Sequence, residues 1–453
     1  MFYRTDPTGR ARAREPASEG ALGTSDLLVP LARGDQPPAP AKPDSAMRDA
    51  RGPPTTREEY VALIADAIAD AAARAPPARR AVPPGDGEHA DRDPPSLERL
   101  AAPSARAGRW TVYAVSDLHA DVRANADWAR ALPVHPPFSA LIVAGDVATS
   151  PATVVDTLAH LKRKFEEVFF CPGNHEMWTP PPPNEHADAG HPPDSLGKLK
   201  HLIQRVSSIG VRVAPTLLPG SPAPTKPVRP DAPSERGPPP APPASVVVVP
   251  MLSWYDDAFG EVMGRGPGYS PAEAHFDAGC SWPACVGRPG APRDSHPDAI
   301  AAFFAQVNAR VGAGGDPRAA RRFAGVPVND DDENENEPET DALTDAVSFS
   351  HFVPRPSLYR GARALAKVMG SATLGSAVRT LRPAAHVFGH SHGDVDETVD
   401  GTRYVQRALG YPNERWGGWG NGAGGAFVSP ARVWPPSDRR RDVLDGFAAC
   451  ALA

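Results

Sequence analysis

Trp110-Thr111-Val112-Tyr113-Ala114-Val115-Ser116 runs directly into Asp117-Leu118-His119. The run is short, apolar and β-branched, and a carboxylate and an imidazole follow it two positions apart. Three more runs end in a similar way. Ala140-Leu141-Ile142-Val143-Ala144 leads to Gly145-Asp146, Glu167-Val168-Phe169-Phe170-Cys171 to Pro172-Gly173-Asn174-His175-Glu176, and His386-Val387-Phe388 to Gly389-His390-Ser391-His392. Val347-Ser348-Phe349-Ser350 delivers His351. Apolar runs of this length, bounded by Gly and Pro, read as strands of a sheet buried on both faces. Each polar group then lies just past the C-terminal end of a strand, where loops held by a rigid sheet commonly carry catalytic residues. Glycine there lets the backbone turn sharply and approach an ion or substrate closely.

The side chains at these ends are carboxylates (Asp117, Asp146), an amide (Asn174) and imidazoles (His119, His351, His390, His392). That mixture, with no thiolate, suits Mn, Fe or Zn. Two divalent ions about 3.5–4 Å apart need a bridging group, and a carboxylate can touch both. Such a pair activates a shared water and offsets charge on a phosphoryl group. One isolated histidine would be an ordinary hydrogen-bonded residue. Five of the chain's 14 histidines fall in one ordered pattern, and that correlation carries the metal reading. The others, His135, His160, His201 and His386 among them, read as surface or packing residues.

The ordered set D-x-H, G-D, G-N-H, a lone H and G-H-x-H resembles the calcineurin-like metallophosphoesterase superfamily, over roughly residues 110 to 416. The resemblance implies an α/β fold, a metallophosphoesterase-type β-sandwich of two mixed sheets flanked by helices, with two divalent metal ions (Mn, Fe or Zn) at one edge. It implies that Asp117, His119, Asp146 and His392 hold the first metal, that Asp146 bridges, and that Asn174, His351 and His390 complete the second. His175 would be the catalytic non-ligand histidine that protonates the leaving oxygen, help of a kind worth about 10²–10⁴ in rate. Glu176 is placed to orient it. Gly145-Asp146-Val147-Ala148-Thr149-Ser150 lacks the D-R that follows G-D in the Ser/Thr protein phosphatase branch. Val249–Tyr255, Cys280-Ser281-Trp282-Pro283 and Arg403–Gln406 leading to Leu409–Arg415 instead resemble a less studied subgroup with no settled substrate.

The reaction implied is hydrolysis of a phosphomonoester or phosphodiester by attack of a metal-bridging hydroxide at a dinuclear centre. The partner is a phosphorylated substrate, a small molecule by this reading. A net charge of −6 lacks the basic footprint of nucleic-acid binding, which counts against the alternative of a nuclease. A non-catalytic metal-binding scaffold is a further alternative, but a binding module has no need of His175. No stretch approaches the ~20 apolar residues of a membrane span. Met1-Phe2-Tyr3-Arg4-Thr5-Asp6 shows no signal-peptide core, so a cytoplasmic location is expected. Early arginines would suit an organelle transit peptide, although Asp6, Glu15 and Glu19 oppose it. Four cysteines argue against a disulfide scaffold.

The 56 prolines and 40 glycines gather in stretches that bury little apolar surface. Residues 1–106 read as mostly disordered, with a helix near 55–74. Thr55 with Glu58, and Thr56 with Glu59, each make a capping-box pattern there, and Tyr60, Leu63, Ile64, Ala67, Ile68 and Ala71 share one face, suited to docking on a partner or, the plainer reading, on the catalytic domain. The catalytic domain spans 107–435, with low-complexity insertions near 180–194, 215–245 and 326–342, and 436–453 is a tail. The second insertion has 12 prolines in residues 215–245, and eight of the 12 residues from Asp330 to Asp341 are acidic. Val211-Arg212-Val213 reads as a strand, and Asp194-Ser195 as the cap of a helix through Val206.

Overall fold

The computed structural model describes residues 54–76, 78, 110–179, 194–220, 245–266, 268–274, 276–287, 297–326, 344–416 and 428–435. Ten strands occur among them: β1 (Thr111–Val115), β2 (Ser139–Ala144), β3 (Glu167–Cys171), β4 (Thr216–Leu218), β5 (Ser245–Pro250), β6 (Thr344–Phe349), β7 (Ala385–Phe388), β8 (Asp394–Val399), β9 (Thr402–Arg407) and β10 (Ala431–Trp434). They form two mixed sheets, one ordered β10-β1-β2-β3 and the other β4-β5-β6-β7-β9-β8. The central strands run parallel in both, and β10, β4 and β8 are antiparallel edges.

The two-residue period of a strand decides what each face meets. Val112, Ala114, Ala140, Ile142, Ala144, Phe169 and Cys171 of the first sheet pack against Val246, Val248, Val347, Phe349, Val387 and Val405 of the second. The intervening residues Leu141, Val143, Val168 and Phe170 face the helices Arg123–Ala131, Pro151–Lys162 and Ser195–Ser208. Val247 and Val249 face the helices Arg57–Arg74, Pro297–Arg310 and Ala372–Leu381. Sheets buried on both faces explain why the central strands read as continuous apolar runs. The sheets join beside the candidate ligands, where Ser116 N donates to Arg407 O (2.9 Å), Leu409 N to Ser116 O (2.9 Å) and Gly410 N to Asp117 O (3.0 Å).

Of the two capping boxes the sequence offers, the Arg57–Arg74 helix uses Thr56–Glu59, and the helix docks in cis. Tyr60, Val61, Ile64 and Ile68 are buried, Arg57 donates to Ala299 O (3.0 Å), and the Tyr60 hydroxyl donates to Asp194 (3.1 Å). Asp194 caps the Ser195–Ser208 helix through Gly197 N (2.7 Å). Val211–Val213 is not a full strand. Arg212 alone bridges Phe169, because Pro215 follows so closely. Thr216–Leu218, expected within an insertion, instead forms the edge strand β4 between Pro215 and Pro219, and Ser245 opens β5. Most of each expected insertion, nearly all of 1–106 outside the helix, and the tail lie outside the described residues. Among those described, no helix is long and apolar enough to cross a membrane, and Cys171, Cys280 and Cys285 are free thiols.

Candidate metal centre

The strand ends converge. One ligand atom from each of Asp117, His119, Asp146 and His392 lies within 4.8 Å of the others, and the same holds for Asp146, His351 and His390. Asp146 is common to both groups. The Asn174 amide oxygen joins the second, 3.1 Å from His351 Nε2. All seven of these residues are buried or nearly so.

Backbone strain is concentrated here. Among the described residues, eight non-glycine residues have positive φ, and five are Asp117 (54°), His119 (41°), Asp146 (51°), His390 (71°) and His392 (50°). Each left-handed residue costs about 1–3 kcal/mol, and such strain persists where the surrounding structure holds it for function. Two glycines make room for the site. Gly145 has φ of 79°, and a Cβ there would strike the His351 ring; a Cβ on Gly173 would strike the Asp146 carboxylate.

The donor set fits cations. His351 Nδ1 lies 2.9 Å from Ala144 O and His390 Nε2 lies 2.9 Å from Val368 O, so those nitrogens carry the protons and donate. The remaining nitrogens, His351 Nε2 and His390 Nδ1, then face each other at 3.1 Å. Two bare lone pairs at that distance require a proton or a cation between them. His119 Nε2 and His392 Nε2 lie 2.9 Å apart, and Glu414, 2.7 Å from His392 Nδ1, accepts the proton there and leaves His392 Nε2 a bare lone pair. Burial lowers His351, but Asp146 at 3.4 Å outweighs it and lifts the imidazole to about 9. A proton thus stands where a cation would sit. Burial pushes His119 down to about 3 and His390 well below its usual range, which keeps both as neutral donors. Burial also raises Asp146, yet His351 and His175 hold it well below the ordinary carboxylate range.

His175 belongs to neither group. Its Nε2 is 3.8 Å from Asp146 Oδ2, its ring stacks on Trp178 at 3.9 Å, and Thr149 Oγ1 is 3.4 Å from Nδ1. Glu176 does not orient it. The Glu176 carboxylate instead accepts the backbone N–H groups of Asp146 (3.0 Å), Val147 (2.8 Å), Ala148 (3.1 Å) and Gly173 (2.7 Å). Asn125 braces two other loops, donating to Leu118 O (2.8 Å) and Gly410 O (3.0 Å), and Asp121 accepts from Thr149 N (2.7 Å). Trp254 and Tyr255 are core residues, and Arg407 pairs with Asp394 (3.1 Å). The side chain of Arg415 lies outside the described residues. Reading the sequence alone missed the roles of Glu414 and of Tyr411, which stacks on His119 at 4.2 Å. Their only signal was the Tyr411-Pro412-Asn413-Glu414 stretch.

Residues 111–212 match the family model described as calcineurin-like phosphoesterase. That segment belongs to this family. The calcineurin-like segment supplies Asp117, His119, Asp146, Asn174 and His175, and the other three histidines come from beyond it. The chain is 44% identical over 69 residues to the acyl-carrier-protein phosphodiesterase PptH of Mycobacterium tuberculosis (strain ATCC 25618 / H37Rv), which is 15% of this chain and 21% of that protein. The match therefore spans about a fifth of the relative's length. The crystal structure of phosphopantetheinyl hydrolase (PptH) from Mycobacterium tuberculosis superposes with a TM-score of 0.46 at 23% identity, over 73% of this chain and 97% of that one.

Proposed function

We propose that the chain is a metal-dependent phosphoester hydrolase whose two donor groups hold two divalent cations bridged by Asp146. The observation that carries this reading is the sharing of Asp146 between two groups of inward-facing nitrogen and oxygen donors. Divalent cations bound there supply a nucleophile at neutral pH by lowering the pKa of water, and they withdraw charge from phosphoryl oxygens. Asp117, His119 and His392 form one side of the cradle, and Asn174, His351 and His390 the other. Glu414 and the carbonyls of Ala144 and Val368 fix which nitrogen of His392, His351 and His390 faces inward. His175, at the partly open rim, delivers a proton from Nε2 to the leaving oxygen. Its backbone N–H is tied to Asp146 Oδ1 (3.0 Å), so acid and bridge keep a fixed separation.

The carrier-protein phosphodiesterase sharing the 69-residue stretch makes a phosphodiester the first substrate class to test. The experiment is metal analysis of the purified chain, followed by assays with p-nitrophenyl phosphate, bis(p-nitrophenyl) phosphate and a phosphopantetheinylated carrier protein. Close to two metals per chain with hydrolysis that chelation abolishes and Mn restores is the expected result. A Mn-loaded chain inert toward every ester would overturn the proposal.

A further inference from the structure

Asn174 offers a cation its amide oxygen only if the amide is turned the right way. An amide has two faces of similar shape, one that accepts and one that donates. In this structure the donating face points at Asp277, with Asn174 Nδ2 2.9 Å from Asp277 Oδ1. A carboxylate only accepts, so the facing group must be the NH₂, and the oxygen is thereby aimed at His351 Nε2. The same Oδ1 accepts from Trp178 Nε1 (2.8 Å), and Trp178 is the ring that stacks on His175.

Asp277 reaches this position from a segment about a hundred residues away in sequence, through a built connection. Cys280 bridges Trp178, Thr179 N donates to Gly279 O (2.8 Å), and Ser195 Oγ donates to Met177 O (2.7 Å) while accepting from Ser281 N (2.9 Å). Gly279 lies under the Trp178 ring, where a Cβ would press on it. The Tyr255 hydroxyl stands against the same buried carboxylate. A buried carboxylate is costly unless it is hydrogen-bonded, and Asn174 and Trp178 supply those bonds.

We propose that Asp277 is a positioning residue that fixes the acceptor face of Asn174 toward the second cation and, through Trp178, the plane of the His175 ring. This inference rests on the two-cation reading above. The partner of a ligand is typically worth about 10–100-fold in metal affinity.

The test compares Mn(II) binding by calorimetry in the full chain and in Asp277→Leu, Asp277→Asn, Asn174→Asp and the double variant Asn174→Asp/Asp277→Leu, with melting curves for each. Asp277→Leu, which offers the Asn174 NH₂ no acceptor, is expected to weaken one of two Mn sites by about 10–100-fold and leave the other unchanged, while Asp277→Asn keeps an acceptor oxygen and both sites. A carboxylate at 174 presents an oxygen whichever way it turns, so the double variant no longer needs an acceptor at 277. It is therefore expected to recover both sites. Unchanged binding in Asp277→Leu overturns the proposal, as does equal loss in Asp277→Leu and the double variant when both melt normally. If Asp277→Leu alone does not fold, the double variant read against Asn174→Asp decides: two retained sites support the role and one lost site overturns it. A parent chain that binds no Mn would instead defeat the two-cation reading, so the two failures are distinguishable.

Discussion

Glu176 accepts the backbone N–H of Asp146 at 3.0 Å, and so a residue four positions after Pro172 sets the shape of the loop that presents the bridging carboxylate. Three further N–H groups converge on the same buried carboxylate, from Val147, Ala148 and Gly173. The loops after β2 and β3 are thus stapled to each other. Glu176→Ala would orphan four buried donors, each costing about 1–3 kcal/mol before relaxation. The expected outcome is a large loss in urea-unfolding stability together with loss of Mn binding. Glu176→Gln keeps one acceptor oxygen and should fall between. If Glu176→Ala matched the parent in both readouts, the staple would be irrelevant.

His175 lies outside both donor groups, so His175→Ala should separate chemistry from metal binding. Metal content is expected to stay at the parent value while kcat falls by about 10²–10⁴. Measuring both on one preparation decides. Loss of metal along with activity would make His175 a ligand rather than an acid.

Glu414 holds His392 Nδ1 at 2.7 Å and also accepts from Tyr411 N (2.8 Å). Burial lowers His392, but Glu414, Asp117 and Asp146 together outweigh it and raise the imidazole above its usual range. A carboxylate partner of this kind makes an imidazole a better ligand. Glu414→Gln is expected to weaken one Mn site by about 10–100-fold, and titration calorimetry beside the parent checks it.

What was legible in the chain follows from where the physics is local. β1, β2, β3 and β7 were readable because strands buried on both faces are apolar throughout, and each ran into a polar group. β8 and β10 were not. Asp394–Val399 alternates charge at a sheet edge, with Asp394, Asp396 and Glu397 paired to Arg407, Arg403 and Arg360, and so lacks an apolar run. Ala431–Trp434 is four residues whose pairing with β1 comes from more than 300 residues away. The donor residues were visible as motifs. Their supports were not: Glu414 and Asp277 stand in no recognisable spacing to the groups they hold, and the left-handed backbone at Asp117 and His390 is invisible in residue type.

Arg212 and Glu167 form a buried two-point pair, with Nε–Oε2 of 3.1 Å and a terminal nitrogen 3.0 Å from Oε1. Lys162 adds a contact at 3.2 Å, and Arg212 also donates to Pro76 O. The pair clamps β3 to the residues after the Ser195–Ser208 helix and to the chain following the N-terminal helix. Removing one member strands a buried charge, at a cost of about 3–5 kcal/mol. Arg212→Met should lower the urea midpoint accordingly. Arg212→Met/Glu167→Met removes both buried charges and leaves Lys162 its bond to Glu166 O, so it should recover much of the loss. A single variant as stable as the parent would show the pair to be energetically neutral.

His386 sits at the centre of the second sheet with Ser348 Oγ 2.8 Å from Nδ1 and Ser350 Oγ 3.1 Å from Nε2. It is fully buried, and burial pushes its pKa down to about 3. In the unfolded chain the imidazole takes a proton near its ordinary pKa of about 6.5. Between those two values the unfolded state binds one more proton than the folded state, so stability is whole above about pH 6.5 and is lost as pH falls toward 3. His135, pushed by burial to about 4, adds a loss of the same sign over a narrower window. His386→Met cannot take up the proton. It should start less stable at neutral pH, because the two serine hydroxyls lose their partner, yet decline less steeply below pH 6.5. Urea midpoints for parent and variant from about pH 4.5 to 8 test this, and parallel acid limbs would rule out His386 as a source of the acid sensitivity.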